Sequence, residues 1–141
     1  MWSNTTDNPA RLAWTGLAYE RVCKDHLMQI KKKLGISGVL TEVSAWQKAG
    51  NEEEEGAQID LVISRRDRVI NLCEIKFVSG EYEINKEYDL KLKNKVRLFV
   101  ETTKTNYTIQ TTMITTYGVK KNKYSNFVSK EVYMDDLFLP D

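Results

Sequence analysis

Apolar positions along the chain change their period several times, and each change marks an element. From about Pro9 to Leu34, residues set at ~100° steps bring Ala13, Leu17, Cys23, Leu27, Ile30 and Leu34 onto one stripe, the pattern of an amphipathic helix. Asn8 or Asp7 can cap it, Pro9 suits its first turn and Gly35 ends it. "SGVLTEVSAW" is rich in β-branched and apolar residues and reads as a strand, followed by the polar loop "QKAGNEEEEG". "GAQIDLVISRRDRVINLCEIKF", residues 56–77, predicts two strands around Arg66 and Asp67. "SGEY" is a turn. Residues 84–104 return to the helical period, with Ile84, Tyr88, Leu92, Val96, Phe99 and Val100 on one side. "NYTIQTTMITTYG" is a Thr-rich strand, "VKKNKYSN" a basic loop or short helix, "KEVYM" a short final strand and "DDLF" the start of a closing turn. This order predicts an α/β fold, a mixed sheet flanked by helices, as a single domain over residues 1–141.

The two strands of residues 56–77 carry charge where burial calls for apolar residues: Asp60 in the first, Glu74 and Lys76 in the second. Side chains alternate between the faces of a strand, and residues directly opposed in an antiparallel pair share a face. A turn centred on Asp67 sets Asp60 opposite Glu74 and Gln58 opposite Lys76, all on one side. A two-residue turn shifts the parity and separates the carboxylates. Carboxylates at cross-strand distance repel, and a divalent cation offsets that repulsion, since Mg²⁺ is held by one or two carboxylates with waters and substrate phosphates. Glu20 stands within the apolar stripe of the first helix, where a carboxylate buried alone is costly. A helix packed on the sheet can bring it beside Asp60 and Glu74. Three acids and a lysine around one metal-sized space suit phosphodiester cleavage, with a lysine to stabilise developing negative charge.

Asp60, thirteen intervening residues, then Glu74-Ile75-Lys76 resembles the PD-(D/E)XK nuclease superfamily, the restriction-endonuclease-like fold. The αβββαβ order over about residues 10–116 is similar to that family's core. The resemblance implies Glu20, Asp60 and Glu74 as ligands of Mg²⁺ or Mn²⁺, Lys76 as the catalytic lysine, and DNA as substrate. Ile59 stands where the motif has proline. More narrowly, "WTGLAYERVCKDHLMQIKKKLGI", "GAQIDLVI" and "INLCEIKF" resemble the C-terminal domain of predicted bacterial and archaeal AAA-type ATPases. That resemblance implies an ATPase module upstream, because this chain has no G-x-x-x-x-G-K-[ST] loop. The alternative is a non-catalytic domain that keeps the nuclease shape and regulates the ATPase, its acidic cluster covered by that module or by a second copy in a homo-oligomer. A small-molecule-binding α/β domain is a third reading, which no glycine-rich loop supports.

Charge changes this picture little. Lys and Arg number 21 against 20 Asp and Glu, so no global attraction to polyanions is expected, although a local basic stripe still serves. Candidate nucleic-acid contacts are Gln58, Lys86, Lys93 and Arg97, and Lys120, Lys121 and Lys123, the last group near Tyr117 and Tyr124. For each, a solvated or packing role is the simpler expectation. His26 and Cys23 do not make a zinc site. Cys73 should face away from Glu74, and Trp14 and Trp46 should pack. Two cysteines do not form a disulfide framework and fit a reducing cytoplasm. No apolar run approaches the roughly 18 residues of a membrane span, so no membrane partner is expected.

Overall fold

Five strands and two helices carry the described part of the chain, and the alternation of each strand decides which helix it meets. The structure is a computed structural model that describes residues 25–53, 56–76 and 78–133. In chain order the elements are α1 (Leu27–Lys33), β1 (Thr41–Lys48), β2 (Ala57–Arg65), β3 (Val69–Lys76), α2 (Lys86–Thr103), β4 (Thr108–Thr115) and β5 (Lys130–Tyr133), with a 3₁₀ turn at Ser125–Phe127 before β5. The strands lie in chain order across one sheet. The β1–β2 and β2–β3 pairs are antiparallel, and β3–β4 and β4–β5 are parallel. The helix, three strands, helix, strand order and the mixed sheet follow the hydrophobic pattern. Glu20, Cys23, Trp14 and the first turns of the expected opening helix lie outside the described residues.

The sheet is covered on both faces. Leu61, Ile63, Cys73, Ile114 and Val132 point to one side, against Ile30 of α1 and Ile36. Val62, Ile70 and Leu72 point to the other, against Phe99, Val96 and Val100 of α2. Trp46 closes that layer edge-on to Phe99, with ring centroids 5.4 Å apart. Helix α2 starts at Asn85, whose side chain accepts from the Tyr88 backbone N–H at 2.8 Å. It ends at Lys104 in the left-handed conformation.

Two local features of the β2–β3 hairpin set the position of the charged residues. The pairs Leu61–Cys73, Val62–Leu72, Ile63–Asn71 and Ser64–Ile70 are symmetric about Asp67. The odd loop Arg66-Asp67-Arg68 makes this register, with Arg68 at φ 69° in the left-handed region. Arg65 braces the loop through a two-pronged ion pair with Asp67, at 3.0 and 2.6 Å. Its guanidinium holds the Asp67 carboxyl below the ordinary range. The second feature is a β-bulge. Ser44 pairs with Val62 but Trp46 pairs with Ile59, so two steps along β1 match three along β2, and the extra residue falls at Asp60–Leu61. The bulge puts Ile59 in the layer of Val62, while Leu61 stays on the α1 side.

Candidate active site

Asp60 and Glu74 come together where the bulge ends the hairpin ladder. The last β2–β3 pair is Leu61–Cys73, and Asp60 and Glu74 follow it by one residue on each strand, close enough for their charges to act on each other. Asp60 is half-buried and turns one carboxylate oxygen to the backbone N–H of Ile75, at 3.0 Å. Regular pairing would aim that N–H at the β2 backbone; the bulge removes the partner, and Asp60 replaces it. Glu74 is buried, with 3 % of its surface exposed. Its Oε1 accepts from Lys95 Nζ at 2.6 Å and from the Tyr88 hydroxyl at 3.3 Å. Its Oε2 is buried with no hydrogen-bond partner among the described residues. Burial pushes the Glu74 carboxyl above its usual range, against the pull of Lys95, and the neighbouring Asp60 charge pushes the same way.

Lys76 stands two residues further along β3. Its ammonium lies 4.8 Å from the centre of the Tyr88 ring and 5.9 Å from that of Tyr82. The two rings meet edge-on at 5.4 Å. Tyr88 therefore touches both ends of the Glu74-Ile75-Lys76 triplet: its hydroxyl holds the acid and its ring faces the base. Burial raises the Tyr88 phenol far above its ordinary value, so it is a hydrogen-bond donor at any working pH.

Beside this group opens a cleft of about 650 Å³, bounded by Gln58, Lys76, Glu87, Tyr88, Lys91, Asn94 and Lys95, with the Lys91 ammonium 4.0 Å from the Glu87 carboxylate. Gly56 is also in its wall, where a side chain would meet the Lys48 carbonyl oxygen at 2.7 Å. Gln58 and Lys76 reach one cleft, but not as a cross-strand pair: the β2–β3 ladder stops at Leu61–Cys73, beside the bulge, and Gln58 is paired only on its other side, with Gln47 of β1.

Other sequence-derived candidates lie elsewhere. Lys86, Lys93 and Arg97 do not line the cleft. Lys93 bonds to Asp89 at 2.9 Å and Arg97 to Glu101 at 3.2 Å, along a different face of α2. Lys120 and Lys121 sit 3.7 and 3.9 Å from Glu83 and Glu131, and Lys123 lies over the Tyr124 ring. Tyr117 is exposed, whereas Tyr124 packs with Ile84, Met113 and Val119. Cys73 points into the α1-side core, away from Glu74. Sequence reasoning passed over Lys91, Asn94 and Lys95. Their signal is the helical period: Lys91 and Lys95 stand three and seven residues after Tyr88, on its side of α2.

Among the described residues, no three His, Cys, Asp or Glu side chains gather as a metal-binding group. Asp60 and Glu74 form a pair, and the expected third acid, Glu20, lies outside these residues. No helix among them is long and apolar enough to cross a membrane. No family model matches this chain, and no curated protein matches it. Among solved structures it is similar to the crystal structure of a protein of unknown function, AF1548, with 19% sequence identity and a TM-score of 0.52. The match covers 84% of this chain and 64% of the other, so the chain spans less than two thirds of that protein's length. At this identity the likeness speaks to the mixed α/β fold alone.

Proposed function

We propose that this chain is a metal-dependent nuclease-like domain, a phosphodiester hydrolase that acts on DNA beside an AAA-type ATPase module. The observation that carries the reading is Glu74: a buried carboxylate beside Asp60, with one oxygen lacking any described partner, next to a lysine-lined cleft. A buried acceptor without a donor calls for an explanation, and an ion is one. Two carboxylates suit Mg²⁺ or Mn²⁺, whose remaining positions go to waters and phosphate oxygens. Asp60 and Glu74 would hold the cation, with Glu20 as the expected third acid. Bound there, the ion would acidify a water and offset charge on the phosphate. Lys76, steadied by Tyr88 and Tyr82, would face the phosphate and stabilise developing negative charge. Lys91 would contact the backbone of the nucleic acid. The link to an ATPase and the choice of DNA rest on the sequence resemblance.

A second reading, a non-catalytic domain that regulates the ATPase, is favoured by one feature. Glu74 is already ion-paired to Lys95 and does not line the cleft.

Calorimetric titration of Mn²⁺ into the protein and into Asp60→Asn, followed by a plasmid-nicking assay on both, separates these readings. The asparagine keeps an acceptor for the Ile75 N–H. Binding and nicking that both vanish in the variant support the nuclease. Binding without nicking indicates a site that needs its ATPase or a particular DNA. Absence of binding moves the assignment to the interaction domain.

A further inference from the structure

We propose that Lys95 is a tethered counter-ion of Glu74, which holds the divalent cation's place in the resting site and turns into the cleft when the cation enters. This rests on the reading of Asp60 and Glu74 as cation ligands. The argument begins with the difference in freedom between the two partners. Glu74 is held on a central strand, between β2 and β4, and is almost fully buried. Lys95 has a flexible stem, a side chain 22% exposed and a place in the cleft wall. The ion pair can therefore open in one direction only, by movement of the lysine. Its ammonium keeps hydrogen bonds to water after leaving, whereas Glu74 left alone does not.

Charge supplies the coupling. Among the described residues, two carboxylates, Asp60 and Glu74, face two ammonium groups, Lys76 and Lys95, in the resting site. A divalent cation added to this set leaves an excess of positive charge around a buried carboxylate. Withdrawal of Lys95 from Glu74 relieves it. The displaced ammonium then stands beside Lys76 and Lys91, where the same cleft would receive an anionic phosphodiester. Lys95 thus exchanges one anion for another. A buried carboxylate also gains a partner whenever the cation is away, which keeps the fold from carrying an unpaired charge.

The test uses the metal alone. Mn²⁺ is titrated calorimetrically into the wild-type protein, Lys95→Gln and Lys95→Arg. The glutamine keeps a donor for Glu74 without the charge, and the arginine restores the charge. The expected result is about tenfold tighter binding by Lys95→Gln, because a positive charge no longer opposes the cation, and a return to weak binding in Lys95→Arg. A second measurement needs no variant. The ammonium signal of Lys95 in a ¹⁵N-lysine-labelled protein should show slow hydrogen exchange without metal and become that of an exposed lysine on addition of Mg²⁺. Equal Mn²⁺ affinity in all three proteins, or a Lys95 signal unchanged while Mg²⁺ binds, overturns the counter-ion role and leaves the metal site standing. Absence of binding in wild type and Lys95→Gln alike overturns the cation reading itself, and this proposal with it.

Discussion

Strand β3 buries two polar side chains three residues apart, Asn71 and Glu74, and the contrast between them separates structure from candidate function. Asn71 shares the α1 side of the sheet with Cys73; Glu74 shares the α2 side with Leu72. Asn71 donates to Gln110 at 3.2 Å and to Thr112 at 3.1 Å, and accepts from Arg65 at 3.2 Å. Its amide is satisfied by residues of β2 and β4, so it ties three strands together. Glu74 has two donors crowded on one oxygen and, among the described residues, none on the other. A neutral, satisfied group is what a fold builds for stability. A charged, half-satisfied group is what a fold tolerates when something else is to bind there. The same strand thus carries a structural polar contact on one face and, on the other, the carboxylate proposed here as a cation ligand.

The largest expected effect breaks the structural half. Asn71→Ala removes three hydrogen bonds at once from the buried layer between β2, β3 and β4, those to Gln110, Thr112 and Arg65, and should cost about 3 kcal/mol by urea denaturation. Mn²⁺ affinity of the folded variant should stay at the wild-type value, because the α2 side is untouched. Next comes the bulge. Asp60→Ala removes the acceptor of the Ile75 N–H and should cost about 2 kcal/mol, whereas Asp60→Asn, which keeps one, should cost less than about 1 kcal/mol. Equal losses in the two variants would show that Asp60 matters to the fold through its charge and not through this hydrogen bond.

Glu74→Gln should change stability by less than about 1 kcal/mol, since the loss of the Lys95 pair is offset by no longer burying a charge. The same variant should lose Mn²⁺ binding. A loss as large as that of Asn71→Ala would erase the distinction between the two sites. The smallest effect is in pH. Burial raises the Glu74 carboxyl above its unfolded value, so the folded state binds that proton more tightly. Its contribution favours folding at pH values below the ordinary carboxyl range, and is lost as pH rises through the raised value. Wild type should therefore gain stability relative to Glu74→Gln as pH falls from neutral toward 4.5, the ordinary value of a glutamate carboxyl, in paired urea titrations. The opposite slope would mean that the Lys95 pair outweighs burial.

Much of this was present in local pattern. Period-two and period-3.6 runs located β2, β3, β4 and α2, because burial of one face imposes its spacing on the residues themselves. The three-residue loop around Asp67 set the hairpin register, so the neighbourhood of Asp60 and Glu74 and the opposite facing of Cys73 followed from parity. The bulge was not readable there. It depends on β1, whose pairing with β2 slips between Ser44 and Trp46, and that slip separated Gln58 from the place opposite Lys76. Nor were the partners of Glu74. Lysines are frequent on α2, and composition alone favours none of Lys86, Lys93, Lys91 or Lys95. Which of them reaches a buried acid is decided by how the helix lies across the sheet, through Phe99, Val96 and Val100 packed on Ile59, Val62 and Leu72. Short-range spacing determined the elements and the side of the sheet on which each charge lies. The packing of α2 on the sheet, a long-range event, determined that Lys95 and Tyr88 hold Glu74 and that the space beside them is a cleft.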